Sequence, residues 1–257
     1  MQVPKKFDFS FFKSKKFFII SLCVVFLIAC TIVANYLSLA LVRTNSTNES
    51  VSSSAFDVYM LTLAKSQVKA EAQVLAGDYQ KVGAGGYIWE QDGYFYVVSS
   101  VYINKNDATL VQNSVKANQG FDSEIITVHF DEIVVNGSFT ADEKKVIAKA
   151  ISACYDFYYN IYDVAISLDT AVYNEISARL AVNSAHNSLS NVYYDFNTLF
   201  DGKSGNLEEL GTLLEKSLAI SQELCGGTPE NQNQTYSSVL KYRYTEILGV
   251  LYEFING

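Results

Sequence analysis

The segment from Gly86 to Tyr102, with the sequence GYIWEQDGYFYVVSSVY, constrains the fold of this chain most strongly. Asp92-Gly93 lies between two runs rich in aromatic and β-branched residues, which favour a pleated surface. Asp-Gly in this position is a strong β-hairpin signal, because both residues tolerate the positive φ that a type I′ turn requires. We therefore predict paired strands over 87–90 and 94–102.

Alternation along the second strand predicts which side chains share a face. One face carries Phe95, Val97, Ser99 and Val101 and is typical of a core. The other face carries Tyr94, Tyr96, Val98, Ser100 and Tyr102. This second face is apolar but rich in hydroxyl groups, which suits a surface that stacks on a flat ligand.

Helix and strand patterns flank the hairpin on both sides. The predicted elements are a strand over 56–63, a helix over 64–81, the hairpin, a helix from Asn106 or Asp107 to Gly120, and a strand over 123–130. The order is therefore β-α-β-β-α-β, in two halves of similar length that indicate an internal duplication. Two helices cover only one face of a four-stranded sheet, so the other face must stay open or meet a partner.

The predicted uncovered face is strongly aromatic. Strand alternation places Tyr59, Tyr87, Trp89, Tyr96 and Val98 on it, together with Thr127 and His129. One hypothesis is a sugar-binding platform, in which pyranose rings stack on the aromatic rings and polar groups bind the sugar hydroxyls. The alternative is that the C-terminal helices cover this face and that the aromatic residues form an internal interface.

From Thr140 onward the chain has only helical patterns. Thr140-Ala141-Asp142-Glu143 predicts a capping box at the start of the first helix. The predicted helices cover about 140–167, 169–200, 206–224 and 234–255, which favours an antiparallel array of four helices. The predicted inward stripe of the second helix consists of Val172, Ile176, Leu180, Asn183, Asn187, Val192 and Phe196.

The N-terminal region has the pattern of a retained membrane anchor. No charged residue occurs from Phe17 to Val42, and about 20 apolar residues are enough to cross a bilayer. Lysines precede this run, so the positive-inside rule places residues 1–16 in the cytoplasm and the remainder outside. The polar segment 43–55 is expected to be a linker, followed by an α+β domain over 56–135 and a helical domain over 136–257.

The distribution of charge and the scarcity of reactive side chains argue against several functions. Residues 1–43 carry six basic residues and one acidic residue, so the total charge of −8 leaves −13 for the remainder. An ectodomain this acidic argues against nucleic-acid binding. Outside the apolar run only Cys154 and Cys225 remain, either as a disulfide or as two free thiols. We find no catalytic set, cofactor loop or metal-ligand motif, so we expect no enzyme, no cofactor and no metal site, with an unrecognised hydrolase as the third-ranked alternative.

Residues 56–131 resemble the SPOR (sporulation-related repeat) domain. The resemblance rests on the β-α-β-β-α-β order, on Phe56-Asp57-Val58-Tyr59, and on the run from Phe95 to Tyr102 followed by Asn106-Asp107-Ala108. Tyr59, Ser100 and Val101 stand where the family usually has Gln, Gly and Pro. SPOR domains are bacterial modules that bind peptidoglycan glycan strands lacking stem peptides.

The resemblance implies a glycan site on the open sheet face. Its residues here would be Tyr59, Tyr87, Trp89, Tyr96, Val98 and His129. The leading expectation is a single-pass cell-envelope protein that binds glycan without catalysis and acts in division or sporulation. The alternative is a membrane-anchored assembly protein whose sheet packs on its own helices or on a protein partner.

Overall fold

A computed structural model describes residues 50–202, 205–226 and 234–256, together with the backbone of Arg43–Thr44. The predicted membrane span from Phe17 to Val42 and the tail before it lie outside the described residues. Among the helices that the structure does describe, none combines the length and apolar character needed to cross a bilayer.

The described chain contains seven strands and six helices. The strands are β1 (Arg43–Thr44), β2 (Ser50–Ser52), β3 (Phe56–Ser66), β4 (Tyr87–Gln91), β5 (Tyr94–Tyr102), β6 (Glu124–Phe130) and β7 (Val134–Asn136). The helices are α1 (Lys69–Gln80), α2 (Lys105–Gln119), α3 (Ala141–Asp169), α4 (Glu175–Phe200), α5 (Asn206–Gly226) and α6 (Tyr236–Asn256). The α+β class and the β-α-β-β-α-β order are confirmed.

The main sheet has four antiparallel strands in the order β4-β5-β3-β6. The predicted hairpin joins β4 to β5. Both turn residues have positive φ, 51° at Asp92 and 76° at Gly93, as a type I′ turn requires. The first half of the unit supplies β3 and β4, and the second supplies β5 and β6. Since β3 lies between β5 and β6, the two halves form one sheet instead of two separate ones.

Two irregularities interrupt the pairing of β3 with β5. Leu61 pairs with Ser100, Thr62 with Val98 and Ala64 with Val97. Ser99 and Leu63 therefore have no pairing partner across these strands. Each extra residue in a β-bulge reverses the alternation of the side chains that follow it. The predicted face assignment is consequently wrong beyond Ser99, because Val101 joins the face of Val98 while Ser100 and Tyr102 move to the other.

The sheet is covered on both faces. On one face α1 packs through Ala72 and Ala76 against Val97, and α2 packs through Ala108 against Leu61. On the other face, the sheet residues pack together with residues of α3, α4, α5 and α6 in a single large hydrophobic core. The open face allowed by the sequence is therefore closed by the chain itself.

The four C-terminal helices contact one another in sequence, and α6 returns to contact α3. The predicted capping box is confirmed: the Thr140 hydroxyl accepts from the Glu143 amide, and the Glu143 carboxylate accepts from the Thr140 amide. The second helix begins later than predicted. Ala171 has a φ of 57° and Asn174 caps α4 by accepting from the Ser177 amide, so the helix cannot start at residue 169.

The segment predicted as a linker is partly built into the fold. β2 lies between β1 and β7 in a small antiparallel sheet, with Val51 fully buried. The Ser53 hydroxyl lies 3.1 Å from the Tyr155 hydroxyl and accepts a hydrogen bond from the Ile133 amide. Residues 42–257 form one compact unit. Cys154 and Cys225 are free thiols.

Candidate functional site

Four of the six predicted glycan-binding residues share one face of the sheet, and that face is covered. Tyr87, Trp89, Tyr96 and Val98 all pack in or against the core formed with the C-terminal helices. Trp89 is only 5% exposed, and its ring lies 5.2 Å from the ring of Tyr252 in an edge-to-face contact. In this arrangement the aromatic residues form an internal interface.

The other two predicted residues lie on the opposite side of the sheet. Tyr59 pairs with Tyr102 and packs in the cluster of α2, not in that of Trp89. His129 pairs with Asp57 at the sheet edge. The expectation that all six side chains point together is therefore wrong, and the bulge at Ser99 explains the error for Tyr59.

His129 is exposed and interacts with acidic neighbours. Its Nδ1 lies 2.7 Å from a carboxylate oxygen of Asp57, and its Nε2 lies 3.4 Å from Asp131. The hydrogen bond with Asp57 is the main reason why the pKa of His129 is raised. His129 therefore belongs to an exposed cluster of acidic residues at the sheet edge.

Helix α6 is fastened to the sheet by polar contacts as well as by aromatic packing. The buried Tyr244 hydroxyl accepts a hydrogen bond of 2.9 Å from the Val101 amide. The Ser238 hydroxyl donates to the Ala84 carbonyl, and Lys241 Nζ donates to the Gly83 carbonyl over 3.1 Å. The bonds made by Tyr244 and Ser238 satisfy buried polar groups, so moving α6 away would break packing and hydrogen bonds together.

A cleft of about 540 Å³ lies on the other side of the sheet, beside α2. Its floor comes from β3 and β5, and its walls come from the turn after α1, from α2, and from the end of α3. The two unpaired residues of the bulges, Leu63 and Ser99, both line it. The sequence did not predict this cleft, because it needs the bulges and the position of α3, neither of which has a local signal.

Several polar groups line the cleft. Lys241 Nζ lies 2.7 Å from an Asp169 carboxylate oxygen, and the Lys241 side chain is only 13% exposed. The Ser100 hydroxyl donates to the Tyr102 hydroxyl over 2.9 Å. Burial raises the pKa of both Tyr102 and Tyr162 to about 12, so both phenols are protonated at neutral pH. Within the described residues, no three His, Cys, Asp or Glu side chains form a metal-binding group.

A second surface feature is an uncharged strip on the outside of α4. We define the α4 strip as six exposed residues: Ile176, Leu180, Asn183, Asn187, Asn191 and Tyr194. Most of these were predicted to face inward. The inward stripe instead consists of Ala178, Val182, Ala185, Leu189, Val192, Phe196 and Phe200. Helix α4 thus has two stripes with apolar members, and only one of them is covered.

No protein-family model matches the chain, and a search of curated proteins finds no match. Among solved structures, the chain is similar to the peptidoglycan-binding domain of the B. subtilis cell wall lytic enzyme CwlC, determined in solution. The sequence identity is 24%, the match covers 34% of this chain and 96% of that domain, and the TM-score is 0.25. A likeness of this size does not define the ligand of the present chain.

Proposed function

We propose that this chain is a non-catalytic assembly protein of the bacterial cell envelope, anchored by the segment from Phe17 to Val42. The proposal rests on one observation: α6 covers the aromatic face of the sheet. Trp89 is buried there, with its ring in edge-to-face contact with that of Tyr252. A SPOR-like unit closed in this way works as a rigid base for the helices. Glycan binding on the aromatic face would require α6 to leave it, at the cost of the contacts described above.

The α4 strip is the surface through which we propose that the protein assembles, and its partner is a second copy of the chain. Charged residues are depleted at the centres of protein interfaces, and the α4 strip has none over about 27 Å of helix. Residues 44–257 are strongly acidic, so two copies repel across most other surfaces. Two copies can approach each other closely at the α4 strip without this repulsion, because the α4 strip is uncharged.

The sequence of the α4 strip is self-complementary about Asn187. Leu180 and Tyr194 lie two helical turns on either side of it, and Asn183 and Asn191 lie about one turn on either side. A twofold axis at Asn187 between antiparallel copies therefore places Leu180 beside Tyr194 of the second copy. It also brings the two Asn187 side chains together, and amides can pair because each both donates and accepts.

This geometry predicts a specific cross-link. We expect Asn187→Cys, in the full chain with its four native cysteines replaced by alanine, to form a disulfide-linked dimer in membranes under mild oxidation. A single helix face is small beside the roughly 800 Å² per partner of a standard interface. The dimer is therefore expected to be weak, and a covalent trap read on a non-reducing gel suits it better than an equilibrium measurement.

The matched control is Asn113→Cys, which puts an exposed cysteine on α2, away from the α4 strip. Leu180→Glu, added to Asn187→Cys, introduces a charge at the proposed contact with Tyr194 of the second copy and should suppress the cross-link. The self-assembly proposal fails if Asn187→Cys cross-links no more than Asn113→Cys, or if Leu180→Glu has no effect.

A further inference from the structure

We propose that the cleft beside α2 is a binding site for a neutral, polyhydroxylated ligand of the size of a monosaccharide or short sugar. It lies on the opposite side of the sheet from Tyr87, Trp89 and Tyr96 and shares no residue with the α4 strip. This inference is independent of self-assembly through α4.

The volume of the cleft and the two bulges in its floor are both typical of a ligand-binding site. Its volume of about 540 Å³ falls within the roughly 300–1,000 Å³ typical of small-molecule pockets. Bulges occur preferentially next to functional sites, where they redirect side chains. Here two bulges fall in adjacent strands, and both extra residues, Leu63 and Ser99, line the cleft floor. One of them contributes a hydroxyl and the other an apolar surface.

The polar lining is dominated by neutral hydroxyl groups. They belong to Ser99, Ser100, Tyr102, Ser114, Tyr162 and Thr170. The Ser100 hydroxyl already donates to Tyr102 and the Thr170 hydroxyl to the Ile166 carbonyl, so these two can only accept from a ligand, whereas the remaining hydroxyls can also donate. Such a lining complements a ligand whose own groups both donate and accept. Sugars and other polyols have this property. Val111, Val115 and Ile166 add an apolar wall, against which the C–H face of a sugar ring can pack.

The charges in the cleft favour a ligand without negative charge. Lys241 is neutralised by Asp169 at 2.7 Å and also donates to the Gly83 carbonyl, so its charge is already compensated. Asp107, on the first turn of α2, adds a carboxylate to the lining. The lining is therefore neutral to acidic, which disfavours phosphates and sugar acids relative to neutral sugars of the same shape.

The experiment uses saturation-transfer difference NMR on the full chain in nanodiscs, with glucose and N-acetylglucosamine as neutral probes and glucuronate as the anionic probe. For ligands this small we expect dissociation constants on the order of 1 mM. Ser114→Phe fills the cleft from an exposed position on α2, so it should reduce the neutral-sugar signal about tenfold without unfolding the protein. Asn113→Phe, on the neighbouring exposed position outside the cleft lining, should leave the signal unchanged.

Three results together support the site. The neutral-sugar signal is lost in Ser114→Phe, it is retained in Asn113→Phe, and it is stronger than the glucuronate signal. No signal from either neutral sugar overturns it. A signal that survives Ser114→Phe also overturns it, because the sugar then binds elsewhere. Neither result bears on the Asn187→Cys cross-link, so failure of this site is distinguishable from failure of the proposed assembly function.

Discussion

Replacement of Tyr244 by alanine is expected to lower the free energy of unfolding by about 3–5 kcal/mol, the cost of deleting a large buried aromatic side chain. Tyr244 is fully buried, and its ring lies 6.2 Å from the ring of Tyr158 and 5.9 Å from that of Tyr162. Its loss leaves a cavity between α6, α3 and the sheet and removes the acceptor for the Val101 amide. Urea denaturation followed by circular dichroism measures the change.

Two conservative variants separate the hydroxyl from the ring. Tyr244→Phe keeps the ring but leaves the buried Val101 amide without its acceptor, at a cost of about 1–3 kcal/mol. The matched control is Tyr158→Phe, since the buried Tyr158 hydroxyl has no hydrogen-bond partner among the described residues. That variant should be neutral or slightly stabilising. Equal destabilisation by both would contradict the proposed role of the Tyr244 hydroxyl in holding α6.

Replacement of Gly85 by alanine is expected to destabilise the protein by about 1–3 kcal/mol through overpacking. A Cβ atom at Gly85 would lie 3.0 Å from the backbone carbon of Lys241 and from the backbone nitrogen of Tyr242. Backbone atoms of a helix cannot move aside as a flexible side chain can. The adjacent bonds to Gly83 and Ala84 also hold this loop to α6, so the strain should be relieved by shifting α6 from the sheet.

The matched control is Gly77→Ala on α1. A Cβ atom there meets nothing within 4 Å, and the position is an exposed helix interior. Alanine is about 1 kcal/mol better than glycine in such a position, so this variant should stabilise the protein. The same substitution is thus expected to change the midpoint of urea unfolding in opposite directions at the two sites. A stabilising Gly85→Ala would show that the loop and α6 are not in close contact.

Local patterns were sufficient to predict the hairpin, the order of elements and the capping box. The type I′ turn at Asp92-Gly93 and the Thr140–Glu143 cap depend on residues only a few positions apart. Face assignment failed at Ser99, because a single unpaired residue reverses all later alternation and has no clear sequence signal. That one residue accounts for the misplacement of Tyr102 and Tyr59.

Helix α4 shows a second reason why burial could not be predicted fully from the sequence. Ile176, Leu180 and Asn187 repeat at helical spacing and predict an inward stripe, but Ala178, Val182, Ala185 and Leu189 repeat just as well. Periodicity cannot choose between two stripes on one helix. The structure buries the second stripe against α3 and α5, which leaves the α4 strip exposed.

The sequence also allowed two states of the aromatic face. Two helices in the β-α-β-β-α-β unit cover one side of the sheet, and nothing local indicates what covers the other. The structure resolves the choice through long-range contacts, such as that between Trp89 and Tyr252 and that between Val101 and Tyr244. Contacts across such sequence distances depend on the packing of the whole chain.

Acrylamide quenching of tryptophan fluorescence tests the closure of the aromatic face most directly. Trp89 is the single tryptophan of the chain, so the whole signal reports on that face. At 5% exposure, Trp89 should emit at a shorter wavelength than free tryptophan and should be quenched far less. Emission and quenching close to those of free tryptophan in the folded protein would mean that α6 does not cover the face, and would contradict the closure on which the proposed assembly function depends.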